Sequence, residues 1–127
     1  MHNPNILLVS NNASLRALVQ GTLIVEGYKV DITYKAVNGL TLALLKPLHL
    51  FLIDQELPDL SNTELIDRIK SRQELAHIPI LALTDNLIQN QCWQCIHAGA
   101  QGCLFKPFTG QQLLQLVREY IAPQQVV

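Results

Sequence analysis

Apolar residues along this chain fall into two alternating patterns: short unbroken runs, and stretches at helical spacing. Asn5-Ile6-Leu7-Leu8-Val9 is an unbroken run closed by the polar Ser10-Asn11-Asn12. Leu15, Leu18, Val19 and Leu23 then recur three and four apart, which marks one face of a helix, and Gly27 is placed to cap that helix in a left-handed conformation. From Tyr28 to Thr33 apolar and polar residues alternate, as in an edge strand with one covered face. A short helix through Leu40–Leu45 stops at Pro47, and a second unbroken run, Leu50-Phe51-Leu52-Ile53, ends at Asp54. Ser61 and Glu64 have capping-box spacing and open a helix carrying Leu65, Ile66 and Ile69. The run from Ile78 to Leu83 predicts a third buried strand, with Pro79 tolerated near its start. Asp85 or Asn86 is placed to cap the next helix, which runs to His97 and meets Gly99. Gly102 to Phe105 predicts a short last strand. Thr109 then caps a helix with the stripe Leu113, Val117, Tyr120 and Ile121, ended by Pro123.

Five strand–helix units with unbroken apolar strands mean an α/β chain whose parallel sheet is covered on both faces. The alternating second strand and the short fifth strand suit the edges, and the three apolar strands suit the centre. With right-handed crossovers this is a single (βα)5 doubly wound sheet of order 2-1-3-4-5, whose ligand crevice lies beyond the carboxyl ends of strands one and three. The candidate site is therefore Ser10, Asn11 and Asp54, with Thr84 and Lys106 at the ends of the neighbouring strands.

Composition narrows the function classes. The 127 residues suit one domain, expected over 1–122 with a tail at 123–127, and 49% are hydrophobic, which excludes disorder. Only 15% are charged, against about 25% in a typical soluble domain. Twelve Gln and eight Asn outnumber the nineteen charged side chains. A net charge of −1 without a charge run speaks against nucleic acid and membrane surfaces as partners. No apolar stretch reaches the roughly 18 residues that span a bilayer, and the polar start lacks a signal-peptide pattern, so the expected location is cytoplasmic. Three cysteines are too few for a disulfide-dense scaffold.

Four segments in order carry a family resemblance: Leu52-Ile53-Asp54-Gln55-Glu56-Leu57-Pro58-Asp59-Leu60, Pro79-Ile80-Leu81-Ala82-Leu83-Thr84, His97-Ala98-Gly99-Ala100, and Lys106-Pro107-Phe108. Over nearly its whole length the chain resembles a receiver domain of bacterial two-component response regulators, a flavodoxin-like fold. The resemblance implies that Asp54 accepts a phosphoryl group from a histidine kinase beside a Mg²⁺ ion. It also implies that Thr84 and Lys106 bind the phosphoryl oxygens, and that an aromatic on strand five acts as a switch.

The chain departs from that pattern at four places. The family's adjacent acids, which hold the metal with the acceptor, are here Ser10 and Asn11. Mg²⁺ wants carboxylates and waters, and Asp54, two neutral oxygens and Glu56 supply little of that. Phosphoryl transfer is mostly electrostatic stabilisation and positioning, so Mg²⁺ binding is expected to be weak or absent and phosphorylation slow or absent. Asp85, where the family usually has a small residue, would crowd and repel a phosphoryl group. Cys103 occupies the switch position, with Phe105 on the same sheet face two residues on. Asn62 replaces a Gly common after strand three.

Cys92-Trp93-Gln94-Cys95 is a C-x-x-C inside the fourth helix, without the strand-to-helix context of a thioredoxin-like motif, and a zinc site would need ligands such as His97 and Cys103. Buried, one or both cysteines are small apolar residues. Trp93 and Ile96 read as core or as a partner face. By the resemblance, partners meet the surface of the fourth helix, fifth strand and fifth helix. That surface here holds Gln89, Gln91, Gln94, Gln101, Gln111, Gln112, Gln115 and Arg118, amides where charges are usual. His2, His49 and His77 read as structural or solvated.

The expectation is an atypical receiver domain, not an enzyme, that works as a signalling interaction module. Its partner would be a histidine kinase or an output protein, with a homodimer as the other arrangement. The rival readings are a phosphoreceiver using Asp54, and a thiol-based redox sensor using Cys92, Cys95 and Cys103. A flavin or nucleotide site is disfavoured, because Ser10-Asn11-Asn12-Ala13-Ser14 has no glycine to let a phosphate approach the backbone.

Overall fold

In the computed structural model, which describes residues 3–85 and 90–121, strand and helix alternate five times. The elements are β1 (Asn5–Val9), α1 (Ala13–Ile24), β2 (Lys29–Thr33), α2 (Ala36–Leu45), β3 (Leu50–Asp54), α3 (Asn62–Lys70), β4 (Ile80–Asp85), α4 (Gln91–Ala98), β5 (Gly102–Lys106) and α5 (Gly110–Tyr120). All pairings are parallel, in the order β2-β1-β3-β4-β5. The doubly wound sheet expected from the apolar runs is the fold observed. Among the described residues no helix is long and apolar enough to cross a membrane.

The period of two in each strand sorts its side chains between two cores. Leu7, Val9, Phe51, Ile53, Ile80 and Ala82 face one side, where α2, α3 and α4 contribute Leu40, Ile66, Ile69 and Cys95. Ile6, Leu8, Leu50, Leu52, Leu81 and Leu83 face the other, against Val19 and Leu23 of α1 and Leu113 and Val117 of α5. Most are fully buried, each such aliphatic side chain contributing about 1.5–3 kcal/mol. Continuous runs at β1, β3 and β4 are thus what two covered faces require.

Helix ends show how the polar residues are used. Asn12 Oδ1 accepts from the Leu15 N–H at 3.0 Å, and Ser61 Oγ from the Glu64 N–H at 3.1 Å. Thr109 and Gln112 form a complete capping box. α2 has Lys35 at its N-cap and no side-chain cap of its own. Asp59, from the loop after β3, accepts instead from the Ala36 and Val37 N–H groups at 2.8 and 3.0 Å. α2 also approaches the sheet closely at Gly39, where a Cβ would sit 2.9 Å from a Val9 methyl.

The end of α1 is as expected: Gly27, left-handed at φ 96°, closes the helix, its N–H donating to the Ile24 carbonyl and the Tyr28 N–H to the Leu23 carbonyl. Several other boundaries differ from the expectation. α2 begins four residues before Leu40. β4 starts after Pro79 and continues through Thr84 and Asp85, so Asp85 is a strand residue and not a helix cap. α4 begins only at Gln91, preceded by Asn90 at φ 70°. The alternative cap Asn86, together with Gln89, His2, Pro123 and the expected tail, lies outside the described residues.

Candidate functional site

Parallel strands place all their carboxyl ends on one edge of the sheet, where the crevice was expected. Val9 lies beside Ile53, Asp54 beside Leu83, and Asp85 beside Lys106. That edge holds an open cleft of about 430 Å³, lined by Asn11, Asn12, Asp54, Gln55, Glu56, Leu57, Pro58, Asp85 and Lys106. Of the residues chosen from sequence, Asn11, Asp54, Glu56, Asp85 and Lys106 meet there. Ser10 and Thr84 lie fully buried and do not line it. Cys103 is apart from the cleft, bonded to Cys92.

Asp54 is only 2% exposed, and its carboxylate is held from three directions. Oδ2 accepts from the Ser10 hydroxyl at 2.7 Å. Oδ1 accepts from the Gln55 backbone N–H at 2.7 Å and from Lys106 Nζ, with which it forms an ion pair. Ser10 is fixed in turn, its Oγ accepting from the Asn12 N–H at 3.1 Å and its own N–H donating to the Thr33 carbonyl at 3.0 Å. A buried carboxylate needs such partners, because an unpaired charge out of water is costly. Lys106 stays 30% exposed at its side chain, so the pair is shielded on the aspartate side and open on the lysine side.

Thr84 has the opposite problem. Its Oγ1 is buried without a hydrogen-bond partner among the described residues, a condition that asks for a reason in a folded protein. Asp85 lines the cleft, and its backbone N–H donates to Gln55 Oε1. Gln55 therefore touches both Asp54 and the end of β4, a role that sequence reasoning missed although the residue adjoins Asp54.

The donor set can be tested against the Mg²⁺ that the resemblance implies. Ser10 spends its hydroxyl proton on Asp54 and offers no charge; Asn11 offers a neutral amide; Lys106 places a cation on Asp54 Oδ1. Among the described residues no group of three or more His, Cys, Asp or Glu side chains is placed to hold a metal ion. These residues fit poorly an ion that favours carboxylates and waters in an octahedron.

Asp59 is a structural carboxylate that sequence reasoning left without a role. Burial pushes its carboxyl up, but backbone hydrogen bonds, first from Val37 and Ala36, outweigh that and hold it below the usual aspartate range. The available signal was indirect: Lys35 has no side-chain acceptor for the first N–H groups of α2, which leaves them to be met from elsewhere.

The C-x-x-C residues do not act together. Cys95 is fully buried in the α2–α3–α4 core, the apolar role considered for one or both cysteines. Cys92 is bonded instead to Cys103, which stands eleven residues away on β5. Trp93 and Ile96 are 61% and 41% exposed, so they belong to the surface and not the core. Trp93 packs against His97 with ring centroids 3.7 Å apart and the planes tilted by 43°. Several of the abundant amides serve the fold. Gln101 Oε1 accepts from the Ile80 N–H, Gln112 completes the α5 capping box, and Gln91 Nε2 donates to Asn62 Oδ1. His49 is structural, its Nδ1 accepting from the Asn5 N–H at 3.0 Å.

Comparison with known proteins bears on this geometry. The family model described as the response regulator receiver domain matches residues 6–118. The chemotaxis protein CheY-3 of Vibrio cholerae is 31% identical over 114 residues, spanning 87% of this chain and 86% of that protein. A probable transcriptional regulator, ycf29 of Porphyra purpurea, is 29% identical over 117 residues. The chain spans only 56% of that protein's length and a still smaller share of the histidine kinases it matches. Among solved structures, Vibrio cholerae CheY4 superposes with a TM-score of 0.88 at 24% identity, covering 94% of this chain and all of that one. The receiver domain of sensor histidine kinase PA1611 from Pseudomonas aeruginosa superposes at 0.86 with 27% identity, over 94% and 98% of the two chains. That structure is described as having a magnesium ion coordinated in its active-site cleft.

Proposed function

This chain belongs to the response regulator receiver domain family, and from that premise we propose that it is a signalling interaction module whose output does not depend on aspartyl phosphorylation. The observation that carries this reading is the state of Asp54. Both carboxylate oxygens are already engaged, one by the Ser10 hydroxyl and one by Gln55 N–H and Lys106 Nζ. In a receiver with acids at the Ser10 and Asn11 positions, a divalent cation would neutralise the charge that builds as phosphoryl transfer proceeds. Here Lys106 is the cation that faces Asp54, and the resulting ion pair holds the site in one arrangement.

The partner in this reading is another protein, a histidine kinase or an output protein, meeting the α4–β5–α5 face. Support comes from the exposed Trp93, Ile96 and Phe105, which give that face apolar anchors among exposed amides such as Gln94 and Gln111. Pairing of two copies through this face is the other arrangement. The domain acts without catalysing a reaction of its own.

The second reading, a phosphoreceiver, is favoured by one observation: the buried Thr84 hydroxyl without a partner, which a phosphoryl oxygen on Asp54 would satisfy after a local shift. Incubation with acetyl phosphate and Mg²⁺ followed by intact-mass measurement separates the two. The expected outcome is no adduct, and no Mg²⁺ saturation below millimolar concentration. A stoichiometric phosphoryl adduct lost in Asp54→Ala would overturn the phosphate-independent reading. Ser10→Asp with Asn11→Asp is expected to restore Mg²⁺ binding. If it does not, Asp85 or the loop around it is the obstacle.

A further inference from the structure

The best-defined chemistry outside the Asp54 cleft is at the seam between α4 and β5. Cys92 lies in the first turn of α4 and Cys103 on β5, with Cα atoms 5.9 Å apart and the two sulfurs bonded. That separation is one two cysteines bridge without moving the backbone. Both residues are partly exposed, so small oxidants and thiol reductants can reach them. Cys95 is sealed in the core, where burial pushes its thiol up against a smaller lowering by Gln91. Exposure and geometry thus select the pair that crosses between elements, and reject the pair suggested by C-x-x-C spacing.

We propose that Cys92 and Cys103 form a reversible dithiol–disulfide modification site, oxidised by hydrogen peroxide and reduced by a dithiol of the thioredoxin type. One thiolate attacks the peroxide oxygen, breaking the O–O bond to give a sulfenic acid and, after protonation, water. The second thiol then attacks the sulfenic sulfur. The S–S bond forms and hydroxide leaves to become a second water. Two electrons pass from the sulfurs to the peroxide, and both thiol protons end in water. Reduction by a dithiol returns two thiols and leaves that reductant as its own disulfide.

The site lies where such a change is felt. α4 begins after Asn90 at φ 70° with no side-chain cap, so the bond to Cys103 is a covalent anchor for its first turn. The same two elements carry the exposed Trp93, Ile96 and Phe105. Oxidation fixes α4 against β5 and with it the relative placement of these side chains; reduction releases that constraint. The chemistry is independent of Asp54, so a failure here and a failure of the phosphate-independent reading are separately visible.

The test uses the full chain, reduced with dithiothreitol, freed of it, and exposed to hydrogen peroxide without Mg²⁺ or phosphate donor. Free thiols are expected to fall from three to one, with a Cys92–Cys103 cross-linked peptide on digestion. Emission of Trp93, the one tryptophan and the neighbour of Cys92, is expected to change on oxidation and return on treatment of the folded protein with dithiothreitol. Cys95→Ser should behave as the parent, and Cys92→Ser or Cys103→Ser should lose the response. An unchanged thiol count, a bond that includes Cys95, or reduction that requires unfolding would overturn the proposal. So would Trp93 emission indifferent to the bond. Peptide mapping of the parent chain decides the pairing even if a serine variant fails to fold.

Discussion

The Asp54 cleft and the α4–β5 seam share β5, which carries both Lys106 and Cys103, and are held together by opposite means. The cleft is joined by charge and hydrogen bonds alone: Ser10, Gln55 and Lys106 converge on one buried carboxylate. The seam is joined by a covalent bond between two partly exposed cysteines, beside apolar side chains left at the surface. In the cleft, Ser10 and Asn11 are neutral where the family resemblance puts acids, and both carboxylate oxygens of Asp54 are engaged. In the seam, a cysteine stands where the family resemblance puts a switching aromatic. The lesson is that one fold can keep its strand-end geometry while the interaction that fixes each region changes in kind.

The sharpest way to break this comparison is to remove the cation from the cleft. Lys106→Met leaves a carboxylate that is 3% exposed at its side chain without its ionic partner. Breaking a buried pair costs about 3–5 kcal/mol; the half-open lysine side and the remaining donors bring the expectation to about 2–3 kcal/mol. Urea denaturation should show it, and Lys106→Met combined with Asp54→Asn should recover most of it. A loss below 0.5 kcal/mol, to use about the scale of ordinary surface changes, would mean that Ser10 and Gln55 suffice.

Reducing the Cys92–Cys103 bond is the matching perturbation of the seam. It reopens a loop that spans eleven residues of sequence separation, worth about 2–3 kcal/mol by chain entropy. A lower denaturation midpoint is expected for the reduced chain, with backbone amide exchange faster in α4 and unchanged around Asp54. Equal protection of α4 in both redox states would remove the distinction between the two regions.

How much of this was legible beforehand follows from physical range. Strand order and the two cores were readable because period-two burial is a local pattern: Ile6, Leu8 and Leu7, Val9 sort by parity alone. The cleft was readable because parallel strands share one carboxyl edge, which places Asn11, Asp54 and Lys106 together. What was not readable is the partner each group takes across the chain. Ser10 was expected to be a poor metal ligand, and it is a donor to Asp54. Thr84 was expected at the cleft and is sealed beneath it. Cys92 was weighed with its neighbour in sequence, Cys95, but a helix in contact with a strand pairs it with Cys103. The start of α4 was missed because Asp85 has the residue type of a cap while its backbone continues β4.

The smallest expected effect sharpens the comparison by supplying a carboxylate that serves only structure. Asp59 accepts from the Ala36 and Val37 N–H groups and substitutes for the absent cap of α2. Asp59→Ala should cost about 1 kcal/mol, as loss of a cap does. Its folded carboxyl lies below the ordinary aspartate value, which is about 3.9. Its contribution is therefore fully present above that value and is lost as pH falls through the lower, folded one. The stability difference between parent and Asp59→Ala, followed by urea denaturation, should be constant from neutral pH down to about pH 4 and shrink below it. Asp59→Asn keeps an acceptor oxygen for the helix end without the charge, so it should recover part of the loss and show no such pH dependence. A difference that grows on acidification would mean that Asp59 is held by something other than the N–H groups of α2.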